Sequence, residues 1–217
     1  MTSSTVAGQG QGTLAEQAYS AVSERLVTLR IRPGEPINDD RVAAELGFGR
    51  TPVREALKRL EHERLVVSYP RRGTFATEVQ IADLGHISEV RQQLEPLAAG
   101  LAAQRAGDSD REELNRLLGE LADASDGGTD LIRLDRNVHR AIYAATRNPY
   151  LEDTLVRYDN LATRIWCLFL DRLPGLAGHV HEHGPLLRAI IDRDAEKASA
   201  LAARHVEGFE TAIRALI

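Results

Sequence analysis

Gly49-Arg50-Thr51-Pro52-Val53-Arg54-Glu55-Ala56-Leu57-Lys58-Arg59-Leu60-Glu61, followed closely by Leu65-Val66-Val67-Ser68-Tyr69-Pro70-Arg71-Arg72-Gly73, reads as a short basic helix leading into a basic-tipped hairpin. Proline is tolerated only in the first turn of a helix, so Pro52 sets the helix start near 49–51. Val53, Leu57 and Leu60 then share one side, which faces a core, while Arg50, Arg54 and Lys58 recur at i, i+4 and i+8 as a stripe beside it. Such a helix end fits a DNA major groove, where an arginine bonds O6 and N7 of guanine for ~1–3 kcal/mol of discrimination. The exposed amides at its start favour a phosphate. The plainer alternative is a solvated basic face. The hairpin weighs against that: strand-like residues 65–69 and 74–79 are joined by Pro70-Arg71-Arg72-Gly73, whose two cations suit a phosphate backbone or a minor groove.

Upstream, Thr13 can cap a helix reaching Arg30, with Leu14, Ala18, Val22, Leu26 and Leu29 at helical spacing. Arg32-Pro33-Gly34-Glu35-Pro36 ends it. A second helix over 39–46 starts on carboxylates and stops at Gly47. Three helices and a wing therefore occupy residues 13–79. Residues 1–12 hold Gly8-Gln9-Gly10-Gln11-Gly12, which lacks the preceding strand of a phosphate loop and reads as a flexible tail. The net charge of −5 argues against general coating of nucleic acid, yet residues 41–72 carry eight basic and four acidic side chains, a local +4. One basic face on an acidic protein suits a single docking surface.

At 217 residues, 43% hydrophobic and 27% charged, the chain has material for two cores. The single cysteine, Cys167, lies in the apolar run Ile165-Trp166-Cys167-Leu168-Phe169-Leu170 and can form no internal disulfide, which suits a reducing compartment. The opening residues lack a basic-then-apolar secretion signal, and no apolar run approaches the ~20 residues of a membrane span. A cytoplasmic location is expected.

Ile37-Asn38-Asp39-Asp40-Arg41-Val42-Ala43-Ala44-Glu45-Leu46-Gly47-Phe48-Gly49-Arg50-Thr51-Pro52-Val53-Arg54-Glu55-Ala56-Leu57 resembles the DNA-binding domain of the GntR superfamily of bacterial regulators. The resemblance covers roughly residues 13–79. It implies that Arg50 and Arg54 read bases, that Thr51 and Arg41 fix the backbone, and that Arg72 with Gly73 makes the wing contact. Gly49 departs from the family, which usually has serine there; glycine can still cap a helix but brings no hydroxyl.

The remainder, residues 80–217, reads as wholly helical: 81–106, 109–124, 129–146, 149–170, 174–192 and 195–216. Breaks fall at Gly107, Asp126-Gly127-Gly128, Arg147-Asn148-Pro149, Leu173-Pro174-Gly175 and Asp192-Arg193-Asp194. Six helices with short connections imply an antiparallel bundle, giving a mainly α chain whose only sheet is the wing. On one helix Asp135 and His139 are i, i+4 and can converge. His183 and His205 lie at similar distances on either side of the turn at Arg193-Asp194, ~15–18 Å along each helix at ~1.5 Å per residue. Their side chains can meet. One carboxylate and three imidazoles suit Zn²⁺ or Ni²⁺ before Mn²⁺ or Fe²⁺, and leave room for a further ligand. His179, i, i+4 from His183, competes as a ligand; His181 points away, and His62 and His86 stand apart.

Leu134-Asp135-Arg136-Asn137-Val138-His139, Arg147-Asn148-Pro149-Tyr150-Leu151, Glu182-His183, Ala189-Ile190 with Asp194, and Arg204-His205 resemble the FCD effector domain of FadR-type GntR regulators. So does Val90-Arg91-Gln92-Gln93-Leu94-Glu95, and six helices resemble the shorter, VanR-like branch. The resemblance implies that Asp135, His139, His183 and His205 bind a divalent metal. A cation in a helical cavity can hold a carboxylate or hydroxy acid, with Arg91 as anchor for a second acidic group and Asn137, Tyr143 and Arg164 as lining. Arg91 has an alternative as an ion-pair partner of Glu95. The expected protein is a homodimeric repressor on a two-fold symmetric double-stranded operator, released by a small organic acid. Two other readings stand beside it. One is a metal-dependent hydrolase with a DNA-binding head, against which no nucleophile with an adjacent base is visible; the other is a metal sensor with no organic ligand.

Overall fold

A computed structural model describes residues 12–124, 128–172 and 176–217. Most of the tail at 1–12 and the turns expected at Asp126-Gly127 and Leu173-Pro174-Gly175 lie outside the described residues. The chain divides into two compact units, with the boundary along the sequence between Val79 and Gln80.

In the first unit, helix α1 (Leu14–Val27) starts on a reciprocal cap. The Thr13 hydroxyl accepts from the Glu16 amide (3.2 Å) and the Glu16 carboxylate accepts from the Thr13 amide (2.6 Å). The helix stops short of Arg30 because Leu29 turns to a positive φ of 57°. Strand β1 (Pro36–Ile37) follows, then α2 (Asp39–Leu46), capped by the Asn38 side chain and ended by Gly47 at φ 72°. Helix α3 (Arg50–His62) begins at Gly49, which makes no side-chain cap bond. Its Val53, Ala56, Leu57 and Leu60 are buried, as the apolar spacing requires. Strands β2 (Val66–Tyr69) and β3 (Gly73–Ala76) form the hairpin, with Val66 opposite Ala76 and Tyr69 opposite Gly73.

The sheet order β1-β3-β2 puts β3 in the middle. β1 was not expected, since Pro36 reads as a breaker; it pairs at the free edge of β3, where a strand-initial proline costs little. Leu60, Leu26 and Val22 are each 0% exposed, where α1 and α3 pack together. Leu60→Ala is therefore expected to cost ~2–5 kcal/mol in urea unfolding of the full chain, whereas a loss below about 1 kcal/mol would place Leu60 outside the core.

The second unit is helical. A 3₁₀ turn (Ile81–Asp83) leads into α4 (Leu84–Arg105), followed by α5 (Asp108–Asp123), α6 (Gly128–Ala145) and α7 (Pro149–Leu168). A further 3₁₀ turn (Leu170–Arg172) precedes α8 (Leu176–His181), α9 (His183–Ile191) and α10 (Ala195–Arg214). α4 is central: it packs against α6, α7, α9 and α10. Its approach to α10 is close because Gly100 has no side chain, and a Cβ there would sit 2.6 Å from Ser199 Oγ. That hydroxyl donates to the Pro96 carbonyl at 2.8 Å.

The segment expected as one helix over 174–192 contains two, broken at Glu182. Pro185 has no amide to return to the carbonyl of His181, so the helical ladder lapses there and restarts with His183 in the first turn of α9. Among the described residues no helix is long and apolar enough to cross a membrane.

Candidate functional site

Four polar side chains gather in the middle of the second unit. Asp135 and His139 project from one face of α6, His183 from the start of α9 and His205 from α10, and their exposures are 2%, 2%, 0% and 4%. One donor atom from each lies within 4.8 Å of the others. Imidazole centroids are 4.8 Å apart for His139 and His183, 4.2 Å for His183 and His205, and 5.4 Å for His139 and His205. Asp135 Oδ2 is 4.0 Å from His139 Nε2, and Oδ1 is 3.6 Å from His183 Nδ1.

Each imidazole is held by a partner on Nδ1. His183 Nδ1 donates to the Val180 carbonyl at 3.1 Å, which leaves Nε2 as its lone-pair nitrogen. His205 Nδ1 is 3.2 Å from the Glu182 carboxylate. His139 Nδ1 lies 3.1 Å from the Tyr143 oxygen, and Tyr143 in turn donates to Glu95 at 2.7 Å. Partners of this kind fix tautomer and ring orientation in histidine metal centres. Asp135 Oδ1 and His183 Nε2 are buried with no hydrogen-bond partner, a costly state for two acceptors unless a cation lies between them. The donor set thus fits a divalent metal.

The charges agree with that fit at His183 and His205, whereas Asp135 and His139 must give up protons to it. Burial, working against the pull of His139, pushes the Asp135 carboxyl up to about 7. His183 and His205 are driven well below the ordinary imidazole range, first by burial and then by neighbouring imidazoles, so both offer neutral nitrogens. Burial also lowers His139, but the Glu95 carboxylate outweighs it and brings the group to about 9. Its proton would have to yield to a bound cation.

The expected lining divides. Tyr143 is fully buried and committed to Glu95 and His139. Arg91 is the ion-pair partner of Glu95, at 2.8 Å and buried. Arg164 is buried on α7. Asn137 does not join them: two positions on from Asp135, it faces the other side of α6 and is exposed. His179 reaches the rim, stacked on His205 at 4.0 Å and edge-on to Trp166 at 4.8 Å. With Glu182 and His205 it makes a second, more exposed group that shares a histidine with the first.

Glu95, Glu182 and the Val180 carbonyl are the supporting groups not singled out beforehand. Glu95 was visible only as i, i+4 from Arg91, and Glu182 only as a neighbour of His183. Also unforeseen was a polar seam between α6 and α7, where Arg140 reaches buried Asn160 at 2.6 Å and Asp159 at 3.6 Å.

In the first unit Arg41, Arg50, Thr51, Arg54 and Lys58 are all exposed. The three arginines lean on carboxylates: Arg54 Nε on Asp39 at 2.5 Å, Arg50 Nε on Asp40 at 2.7 Å, and Arg41 Nε on Glu45 at 3.2 Å. Arg71 and Arg72 are exposed at the hairpin tip, and Gly73 has φ 94°, a left-handed conformation that favours glycine.

Residues 14–76 match the family of bacterial regulatory proteins called gntR, and residues 86–208 match the FCD domain. The chain belongs to the GntR family and carries an FCD domain. This GntR protein is a DNA-binding transcriptional regulator, and the relatives it matches are named as regulators rather than enzymes. It is 29% identical over 186 residues to the Nta operon transcriptional regulator of Aminobacter aminovorans, covering 83% of this chain and 85% of the relative. It is 23% identical over 201 residues to the HTH-type transcriptional repressor RspR of Escherichia coli, covering 92% and 88%. The solved structure of E. coli McbR/YncC shares the fold, with a TM-score of 0.80 at 24% identity over 95% of this chain and 99% of that one.

Proposed function

We propose that this GntR regulator is a repressor whose operator affinity is set by a small carboxylate, bound at a divalent-cation site made by Asp135, His139, His183 and His205. The observation that carries the reading is the convergence of one carboxylate and three Nδ1-tethered imidazoles, two of whose buried acceptor atoms, Asp135 Oδ1 and His183 Nε2, lack partners. Zinc or nickel suits three imidazoles and one oxygen, ahead of manganese or iron. Such a cation, once bound, supplies a positive centre and a coordination position for an acidic ligand.

The chain's own residues do the rest. Glu95, Tyr143, Val180 and Glu182 orient the imidazoles. Arg91, while tied to Glu95, is the anchor for a second acidic group, and Arg164 and Tyr143 are lining. In the other unit Arg50 and Arg54 read bases, Arg41 and Thr51 hold the phosphate backbone, and Arg72 with Gly73 seats the wing. Two copies of the chain present two such heads to a two-fold symmetric operator, in the cytoplasm where the DNA is. The acid acts by preferring one spacing of the two heads, since equal affinity for both arrangements would shift nothing. Repression is supported by the name of the RspR relative.

The test is DNA binding by the full chain. An operator is first selected from random duplex DNA, and its release is then followed by fluorescence anisotropy with a panel of carboxylates and hydroxy acids, with and without chelator. Release by one acid class, abolished by chelator, is expected. Release by chelator alone, with every acid inactive, would instead make the protein a metal sensor.

A further inference from the structure

The arginines placed at the DNA are not free to point anywhere. Asp39 and Asp40, consecutive residues at the start of α2, each take one arginine from α3: Asp39 Oδ2 is 2.5 Å from Arg54 Nε, and Asp40 Oδ1 is 2.7 Å from Arg50 Nε. The two arginines are one turn apart on α3, and the two aspartates are neighbours on α2. Both are exposed, with side-chain exposures of 62% and 31% for Arg54 and Asp39, so they contribute little to folding. Both also work against DNA affinity, because a carboxylate beside the groove repels phosphate.

What they do provide is geometry. A guanidinium has a fixed fork of five N–H groups; occupying Nε–H from behind leaves the outer edge formed by Nη1 and Nη2. That edge is the one that spans O6 and N7 of guanine. An unrestrained arginine must lose the freedom of its long stem on binding, and a carboxylate on Nε removes part of that freedom beforehand.

We propose that Asp39 is a specificity-determining positioning residue: it holds Arg54 by Nε so that the outer guanidinium edge meets one base pair, lowering total DNA affinity while raising discrimination. Asp40 stands 2.7 Å from Arg50 Nε as an ion pair without that hydrogen bond, so it restrains its arginine less. The inference rests on the placement of α3 in the major groove proposed above. It explains why acidic residues stand beside cations that must meet a polyanion.

The experiment compares the full-length wild type with Asp39→Asn, Asp40→Asn, Glu45→Gln and Arg54→Ala. The probes are a duplex selected from random DNA by the wild type and the same duplex with single base pairs exchanged, at fixed salt. Asp39→Asn is expected to bind non-selected DNA at least as tightly as wild type, while the preference for the selected base pair at one position falls by roughly tenfold. Asp40→Asn, which removes an ion pair but no hydrogen bond from Arg50, is expected to lower the preference less than Asp39→Asn does. Glu45→Gln removes the same charge from a carboxylate that holds Arg41 and Arg25, and should tighten binding to all duplexes alike. Asn at 39 is near-isosteric at a half-buried position, and an unchanged melting temperature separates the effect from misfolding.

An Asp39→Asn variant that keeps the full preference, or that tightens on every duplex like Glu45→Gln, would overturn the role of Asp39. If Arg54→Ala lowers the preference and Asp39→Asn does not, only that role falls. If Arg54→Ala keeps the preference as well, Arg54 reads no base, and the placement of α3 falls with it.

Discussion

Replacing Arg54 by alanine is expected to weaken binding to the selected operator by ~1–3 kcal/mol, roughly 5- to 150-fold, while leaving metal content unchanged. The loss has two sources. The guanidinium edge that would span a guanine is gone, and Asp39, whose carboxylate it held at 2.5 Å, is left as an uncompensated negative charge on the DNA-facing side. The loss should therefore concentrate at one base position in each half-site. Truncating a phosphate contact such as Arg41 should instead weaken all sequences about equally. Arg54→Lys should recover charge but not base preference, because an ammonium cannot make the bidentate contact. Competition binding against base-exchanged duplexes reads all three. An Arg54→Ala protein that bound every sequence as well as the wild type would place the reading helix elsewhere.

Replacing His183 and His205 together by alanine is expected to have the larger effect in the second unit. Removing an outer-shell partner alone typically costs roughly 10- to 100-fold in metal affinity, so removing two of four donors should lower it by more than about 100-fold. Acid-dependent release of DNA should disappear with it. Both histidines are buried, and truncation leaves space among packed helices, so a drop in stability without metal is expected as well. The two effects separate by ligand linkage. Added zinc should raise the melting temperature of the wild type, by the equivalent of ~2.7 kcal/mol at a hundredfold excess over Kd, and leave the double variant where it is. A wild type and a variant that respond equally to zinc would discard this donor set.

Much of this architecture was readable from single residues with strong local physics. Thr13, Gly47 and Pro52 mark helix ends because capping and proline geometry act within one turn, and the structure has helix boundaries at or beside each. Asp135 and His139 were readable as a pair for the same reason. The unanticipated features depend on tertiary neighbours. β1 exists because β3 offers a free edge, which Pro36-Ile37 cannot announce by itself. The lapse at Glu182 is different: it comes from the missing amide of Pro185, which stands past the middle of the helix expected over 174–192 and is a local signal of a break.

Around the four donors the limit is helical phase. Spacing along α6 says that Asp135 and His139 share a face, but not that Tyr143 is taken up by Glu95 of α4 or that Asn137 is left at the surface. Glu95 and Glu182 were hidden because an acidic residue in a helix ordinarily reads as solvated. Their role follows only from the imidazole nitrogens they meet across the bundle.

The most direct measurement is the metal content of the full-length protein by elemental mass spectrometry, after loading with zinc or nickel and removal of excess ion, beside the His183→Ala, His205→Ala double variant. The account predicts close to one divalent ion for each wild-type chain and a small fraction of that in the variant. A wild-type chain that retains no ion, or a variant that retains as much as the wild type, would contradict it.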